Sequence, residues 1–156
     1  ILAEDINYKD LLFDELELEA NHLKLNLRLN NKELNLINSP TVKFKISLSQ
    51  NSLKTILSSN NWKYIGNMIR KEILNEDKLK DIRIKDGLFF IIDSEESHTI
   101  QKLAHIGIKA ANGKIYLENR IYNKTIQIPI EEKIYIKNVT IENNLINIFA
   151  NSSISF

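Results

Sequence analysis

Apolar and polar residues alternate along most of this chain, and the alternation gives way only in its middle to a helical period. From Phe13 to Ala20, Leu16, Leu18 and Ala20 share one face and Glu15, Glu17 and Glu19 the other, the pattern of a half-buried strand. The same period continues through Leu23, Leu25, Leu27 and Leu29, and Asn30-Asn31 marks a turn before a short strand from Leu34 to Ile37. After Pro40 comes the cleanest strand, with Val42, Phe44, Ile46 and Leu48 against Lys43, Lys45, Ser47 and Ser49. Ser49 or Asn51 then caps a short helix carrying Leu53, Ile56 and Leu57, which ends at the polar run Ser58–Asn61.

Asn61–Leu74 is the most strongly helical segment. At about 100° per residue, Trp62, Ile65, Gly66, Met68, Ile69 and Ile73 fall on one side, and Lys63, Asn67, Arg70 and Lys71 on the other. Strand patterns resume at Leu79, Ile82 and Ile84, turn at Asp86-Gly87 and return through Leu88–Ile92, a run apolar on both faces and so covered on both. The polar stretch from Glu95 to Lys102 reads as a loop. Ala104, Ile106, Ile108 and Ala110 lead to a hairpin at Asn112-Gly113, and Ile115 and Leu117 return from it. Pro129 assigns the Thr125–Ile130 segment to a sheet edge, because proline has no N–H for the ladder. Ile134, Ile136, Val139 and Ile141 reach an Asn143-Asn144 turn, and Ile146 and Ile148 open the last strand.

An amphipathic helix among antiparallel strands buries its apolar stripe on a sheet, so the class is α+β. Two readings of that contact stand side by side. In one, the stripe and Leu88–Ile92 close a dry core. In the other, the helix and a curved sheet leave an apolar channel for a lipid tail, lined by Trp62, Ile65, Met68, Ile69, Ile73, Leu88, Phe90 and Ile92.

Composition narrows the function. The length of 156 residues fits one domain, with 43% hydrophobic and 26% charged residues as in a soluble globular protein. No apolar run approaches the roughly 20 residues of a membrane-spanning helix. A net charge of +1 supplies no overall field for nucleic acid, but leaves room for a local basic face. Lys63, Arg70 and Lys71 are the candidates for such a face, suited to anionic headgroups or a membrane surface, with Trp62 and Tyr64 beside them as residue types of the lipid boundary. The start at Ile1 rather than Met suggests that an N-terminal portion is missing, so the compartment is not readable.

Enzyme chemistry finds no foothold. The sequence has no Cys, and no nucleophile-elbow, zincin, Walker-type or dinucleotide-binding motif. Its three histidines, His22, His98 and His105, have no metal-pair spacing. Glu131 and Glu132 are adjacent on a strand pattern and point to opposite faces, so they cannot share a proton. Binding without turnover, and without a cofactor or metal, is the expectation.

Several segments resemble a bacterial family of LmeA-like phospholipid-binding proteins. They are LELEANHLKLNL, the block LNLINSPTVKFKISLSQNSLKTIL from Leu34 to Leu57, IRIKDGLFFI from Ile82 to Ile91, and IPIEEKIYIKNVTIENNLINI from Ile128 to Ile148. The resemblance implies a fold similar to tubular lipid-binding domains, in which a strongly curved antiparallel sheet wraps a central helix and an apolar groove takes acyl chains. It implies a phospholipid or similar amphiphile as the ligand, held noncovalently by a carrier, sensor or accessory factor at a membrane. A dry-cored structural or protein-interaction module is the alternative.

Overall fold

The computed structural model describes residues 1–20, 25–28, 33–36, 41–76, 78–93 and 101–153. The strands are β1 (Leu2–Tyr8), β2 (Leu11–Ala20), β3 (Leu25–Arg28), β4 (Glu33–Leu36), β5 (Thr41–Leu48), β6 (Asp81–Ile84), β7 (Leu88–Asp93), β8 (Gln101–Ala111), β9 (Lys114–Asn119), β10 (Lys124–Ile128), β11 (Ile134–Glu142) and β12 (Leu145–Ser153). Between β5 and β6 lie helix α1 (Gln50–Ser58), helix α2 (Lys63–Met68) and a π-helical turn over Ile69–Leu74. The α+β class read from the sequence is the class observed. The strands divide into a sheet of order β1-β2-β5-β12-β11, a sheet of order β10-β9-β8-β7-β6 and the hairpin β3-β4, where the family resemblance implies one curved sheet.

Turn chemistry sets the hairpins. Lys9-Asp10, Asn112-Gly113 and Asn143-Asn144 each form a two-residue loop with positive φ at both positions, the geometry that matches the twist of the flanking strands. Asp86-Gly87 differs from expectation. Ile84 pairs with Leu88, so the loop holds three residues, and of the pair only Asp86 takes a positive φ. A Cβ at Gly87 would instead crowd its neighbours, lying 3.0 Å from His105 Nε2 and 3.1 Å from the Phe89 ring, so those side chains would have to give slightly. As Pro129 required, β10 is an edge strand and ends one residue before it.

The first strand, β1, carries no alternation that marks it in the sequence; it exists because the Lys9-Asp10 turn folds it back on β2. The strand expected from Ala104 starts earlier, at Gln101, within the stretch read as a loop. Expectations for His22, Asn30-Asn31, Pro40, His98 and residues 95–100 lie outside the described residues.

The two large sheets meet where Ile136 N donates to Gly113 O at 3.0 Å, over a small cluster of Ile115, Ile136 and Ala150. The main core lies beneath the helices and draws on both sheets, with Leu48 and Ile146 from one and Ile84, Phe90, Ile106, Leu117 and Ile126 from the other.

Candidate functional site

The helical stretch expected over 61–74 is not one uniform helix. Trp62 occupies the N-cap with its indole Nε1 donating to Lys9 O at 2.8 Å, so the boundary tryptophan ties the β1–β2 turn to the helix. From Ile69 the winding loosens, and Asn75, left-handed at φ 56°, ends it with its N–H on Arg70 O. An i→i+5 winding turns less per residue than an α-helix and so brings residues five apart closer to one face. Ile69 and Leu74 are therefore both buried, at 3% and 1% exposure, whereas a 100° wheel leaves Leu74 off the stripe.

Of the eight residues expected to line a tail channel, Ile65, Ile69, Ile73, Leu88, Phe90 and Ile92 are buried members of one core cluster, and Trp62 and Met68 pack against it half-buried. The structure thus brings all eight together as packed side chains. None of them lines either of the two surface depressions described next.

The more informative depression lies on the polar side of the helices. It is an open groove of about 530 Å³. One wall is a stripe of α1, Lys54, Leu57 and Ser58, and the other a stripe running along α2 into the π turn, Lys63, Gly66, Asn67 and Arg70. These spacings of three and four place each set on a single helix face. The connector residues Lys78, Leu79 and Lys80, with Asp81 and Ile82 at the start of β6, close the groove. Gly66 sets the depth: a Cβ there would meet Leu57 O at 2.8 Å, so only glycine lets the two helices approach this closely.

Five cations, Lys54, Lys63, Arg70, Lys78 and Lys80, line this groove over the apolar Leu57, Leu79 and Ile82, and among the described residues Asp81 is the one carboxylate that lines it. Their concentration is local, because the whole chain carries 21 basic and 20 acidic side chains. Asp81 pairs with Lys54 and accepts from Ile82 N at 2.8 Å. The Lys54 ammonium, helped by that N–H and opposed by partial burial, holds the Asp81 carboxyl below its ordinary range. Gln50 Oε1 accepts from Ile84 N at 3.3 Å and fixes the start of α1 to the same strand. The Arg70 guanidinium is steadied by Asn67 Oδ1 on the turn before it.

Lys63 and Arg70, paired by the helical wheel, do share this groove; Lys71 is exposed and does not line it. Lys54, Lys78, Lys80 and the apolar floor escape sequence reasoning because they come from three separate elements. The lysine alternation Lys78-Leu79-Lys80 is the local signal, and it looks like any solvated linker.

The second depression, about 570 Å³ at the β1 edge, also mixes charge with apolar Leu2, Leu18, Phe44 and Phe149. Its two β5 lysines are already paired with glutamates of β2, and Lys137 also lines it. Lys45 lies 3.2 Å from both Glu15 and Glu17, and Lys43 lies 3.7 Å from Glu19. The hydrogen bond between Lys45 and Glu17 raises the lysine pKa and lowers that of the glutamate. His105 is exposed and stacks on Phe89 at 4.9 Å, and Glu131 and Glu132 are exposed.

No protein-family model matches the chain, and no curated protein or solved structure matches it either.

Proposed function

We propose that this domain binds a phospholipid or similar anionic amphiphile noncovalently, as a carrier, sensor or accessory factor at a membrane, and takes the headgroup in the groove between α1, α2 and β6. The observation that carries the reading is five cations gathered around an apolar floor in a chain of net charge +1. A phosphate suits the cationic rim, and the first methylenes below it suit Leu57, Leu79 and Ile82. Each basic side chain near an anionic surface contributes about 1 kcal/mol, and each sheltered methylene about 0.8 kcal/mol. The segments that resemble LmeA-like proteins imply the same ligand class. Entry of an acyl chain between the helix and β7 would require the Ile65–Ile69–Phe90 seam to part, so the headgroup groove is the stronger half of the proposal.

That packed seam favours a second reading, a dry-cored module that binds a protein partner and retains no amphiphile. Co-sedimentation with vesicles of phosphatidylcholine alone, or with added phosphatidylglycerol, separates the two. The proposal expects binding to the anionic vesicles only, fading as salt rises, and weakened at least about tenfold by Lys63→Glu with Arg70→Glu. All lipid should be recovered intact. Equal binding to both vesicles, or binding indifferent to the charge reversal, refutes the groove.

A further inference from the structure

The turn between β9 and β10 presents an aliphatic side chain to solvent and holds it there. Ile121 is 76% exposed and Tyr122 42% exposed, in the segment Asn119-Arg120-Ile121-Tyr122-Asn123-Lys124, which contains no acidic residue. Isoleucine at a loop tip ordinarily gains by folding back onto the protein. Here the backbone prevents it. Asn119, buried to 1% exposure, accepts on Oδ1 from Ile121 N at 3.1 Å and Tyr122 N at 3.4 Å, while its Nδ2 donates to Ile73 O at 3.1 Å.

Cations surround the tip. Arg120 is exposed and Lys124 half-buried beside it, and Lys102 Nζ donates to the Tyr122 hydroxyl at 2.6 Å while also facing Glu76 at 3.4 Å. Apolar tip, aromatic shoulder and basic collar match, in that order, the acyl, interfacial and phosphate levels of an anionic leaflet. Asn119 also joins the tip to the π turn whose Arg70 lines the groove, so both features are braced on the same helical segment.

We infer that the β9–β10 turn is a membrane-insertion tip, with Ile121 and Tyr122 entering an anionic lipid surface while Arg120, Lys124 and Lys102 meet its phosphates. This rests on the reading of the domain as a binder of anionic amphiphiles, yet on different residues, so the two can fail separately.

Because the chain has no cysteine, Ile121→Cys gives a unique site for an environment-sensitive nitrobenzoxadiazole label, and Asn143→Cys at the β11–β12 turn gives a control. On vesicles containing phosphatidylglycerol, the label at 121 should brighten severalfold and be quenched by lipids spin-labelled at shallow acyl positions. The label at 143 should change little. Separately, Ile121→Ser with Tyr122→Ser should lower vesicle partitioning by about tenfold or more. The same variant should keep wild-type affinity for dihexanoyl phosphatidic acid below its critical micelle concentration, which reports on the groove alone. Brightening and loss of partitioning without any binding of the soluble lipid would uphold the tip and sink the groove. No brightening at 121, brightening equal to that at 143, or full vesicle binding by the double variant overturns the tip. So does a protein ligand that depends on Ile121 in the absence of vesicle binding.

Discussion

Asn119→Ala should be among the most damaging single substitutions outside the apolar core. The side chain is almost wholly enclosed and makes three hydrogen bonds, one to Ile73 O and two to the turn amides of Ile121 and Tyr122. Removing the amide withdraws a buried partner from Ile73 O, at a cost of about 1–3 kcal/mol for a buried polar group left unsatisfied. The two turn amides are near the surface and recover water, so each costs less, roughly 0.5 kcal/mol. A total of about 2–4 kcal/mol follows, which in a chain of this size lowers Tm by about 4–16 °C. Thermal melts by circular dichroism, with urea titrations to check that the slope is unchanged, read the effect. Asn119→Asp sharpens the test. It keeps an acceptor for the turn, loses the donor to Ile73 O and introduces a carboxylate whose pKa burial raises. Relative to wild type its deficit should therefore shrink as pH falls and the buried group takes up a proton. A loss below about 0.5 kcal/mol for Asn119→Ala, the level of an ordinary surface substitution, would refute the bracing role.

Gly66→Ala should destabilise the domain in thermal melts even though alanine is favoured in helices by about 1 kcal/mol, because its Cβ meets Leu57 O; a stabilised variant would contradict the helix crossing described. The Asp81 carboxyl, titrated by NMR, should ionise below its ordinary range and return towards it in Lys54→Ala. Because its folded pKa is depressed, its contribution to stability is present above the unfolded value and is lost as pH falls through the lowered one. Asp81→Asn should raise the affinity for dihexanoyl phosphatidic acid severalfold by calorimetry, and weaker binding would show that Lys54 needs its partner to face the ligand.

The strands were legible because alternation is a local property. Val42–Leu48, Ala104–Ala110 and the asparagine turns needed nothing beyond the period of two and the conformational tolerance of Asn and Gly. The partition into two sheets was not, since it depends on which edges meet, as Gly113 and Ile136 do across separate hairpins. The π turn was hidden for a related reason: a wheel drawn at one fixed angle cannot show that the winding changes at Ile69 and carries Leu74 into the core. Two of the five groove cations were readable, because Lys63 and Arg70 lie seven residues apart on one helical stretch. The other three, Lys54, Lys78 and Lys80, arrive from α1 and the β6 connector through tertiary contacts that no single window contains. Ile121 was overlooked because a short apolar pair between Arg120 and Asn123 has no period at all; only its exposure distinguishes it.

The cationic groove is proposed to receive an anionic headgroup. An amide chemical-shift titration with dihexanoyl phosphatidic acid below its critical micelle concentration, set against dihexanoyl phosphatidylcholine, tests it most directly. Saturable shifts at Leu57, Gly66, Asn67, Leu79 and Ile82 with the phosphatidic acid alone, abolished by Lys63→Glu with Arg70→Glu, are the predicted result. Equal shifts with both lipids, or shifts centred on the Glu17–Lys45 face while the groove amides stay still, would contradict it.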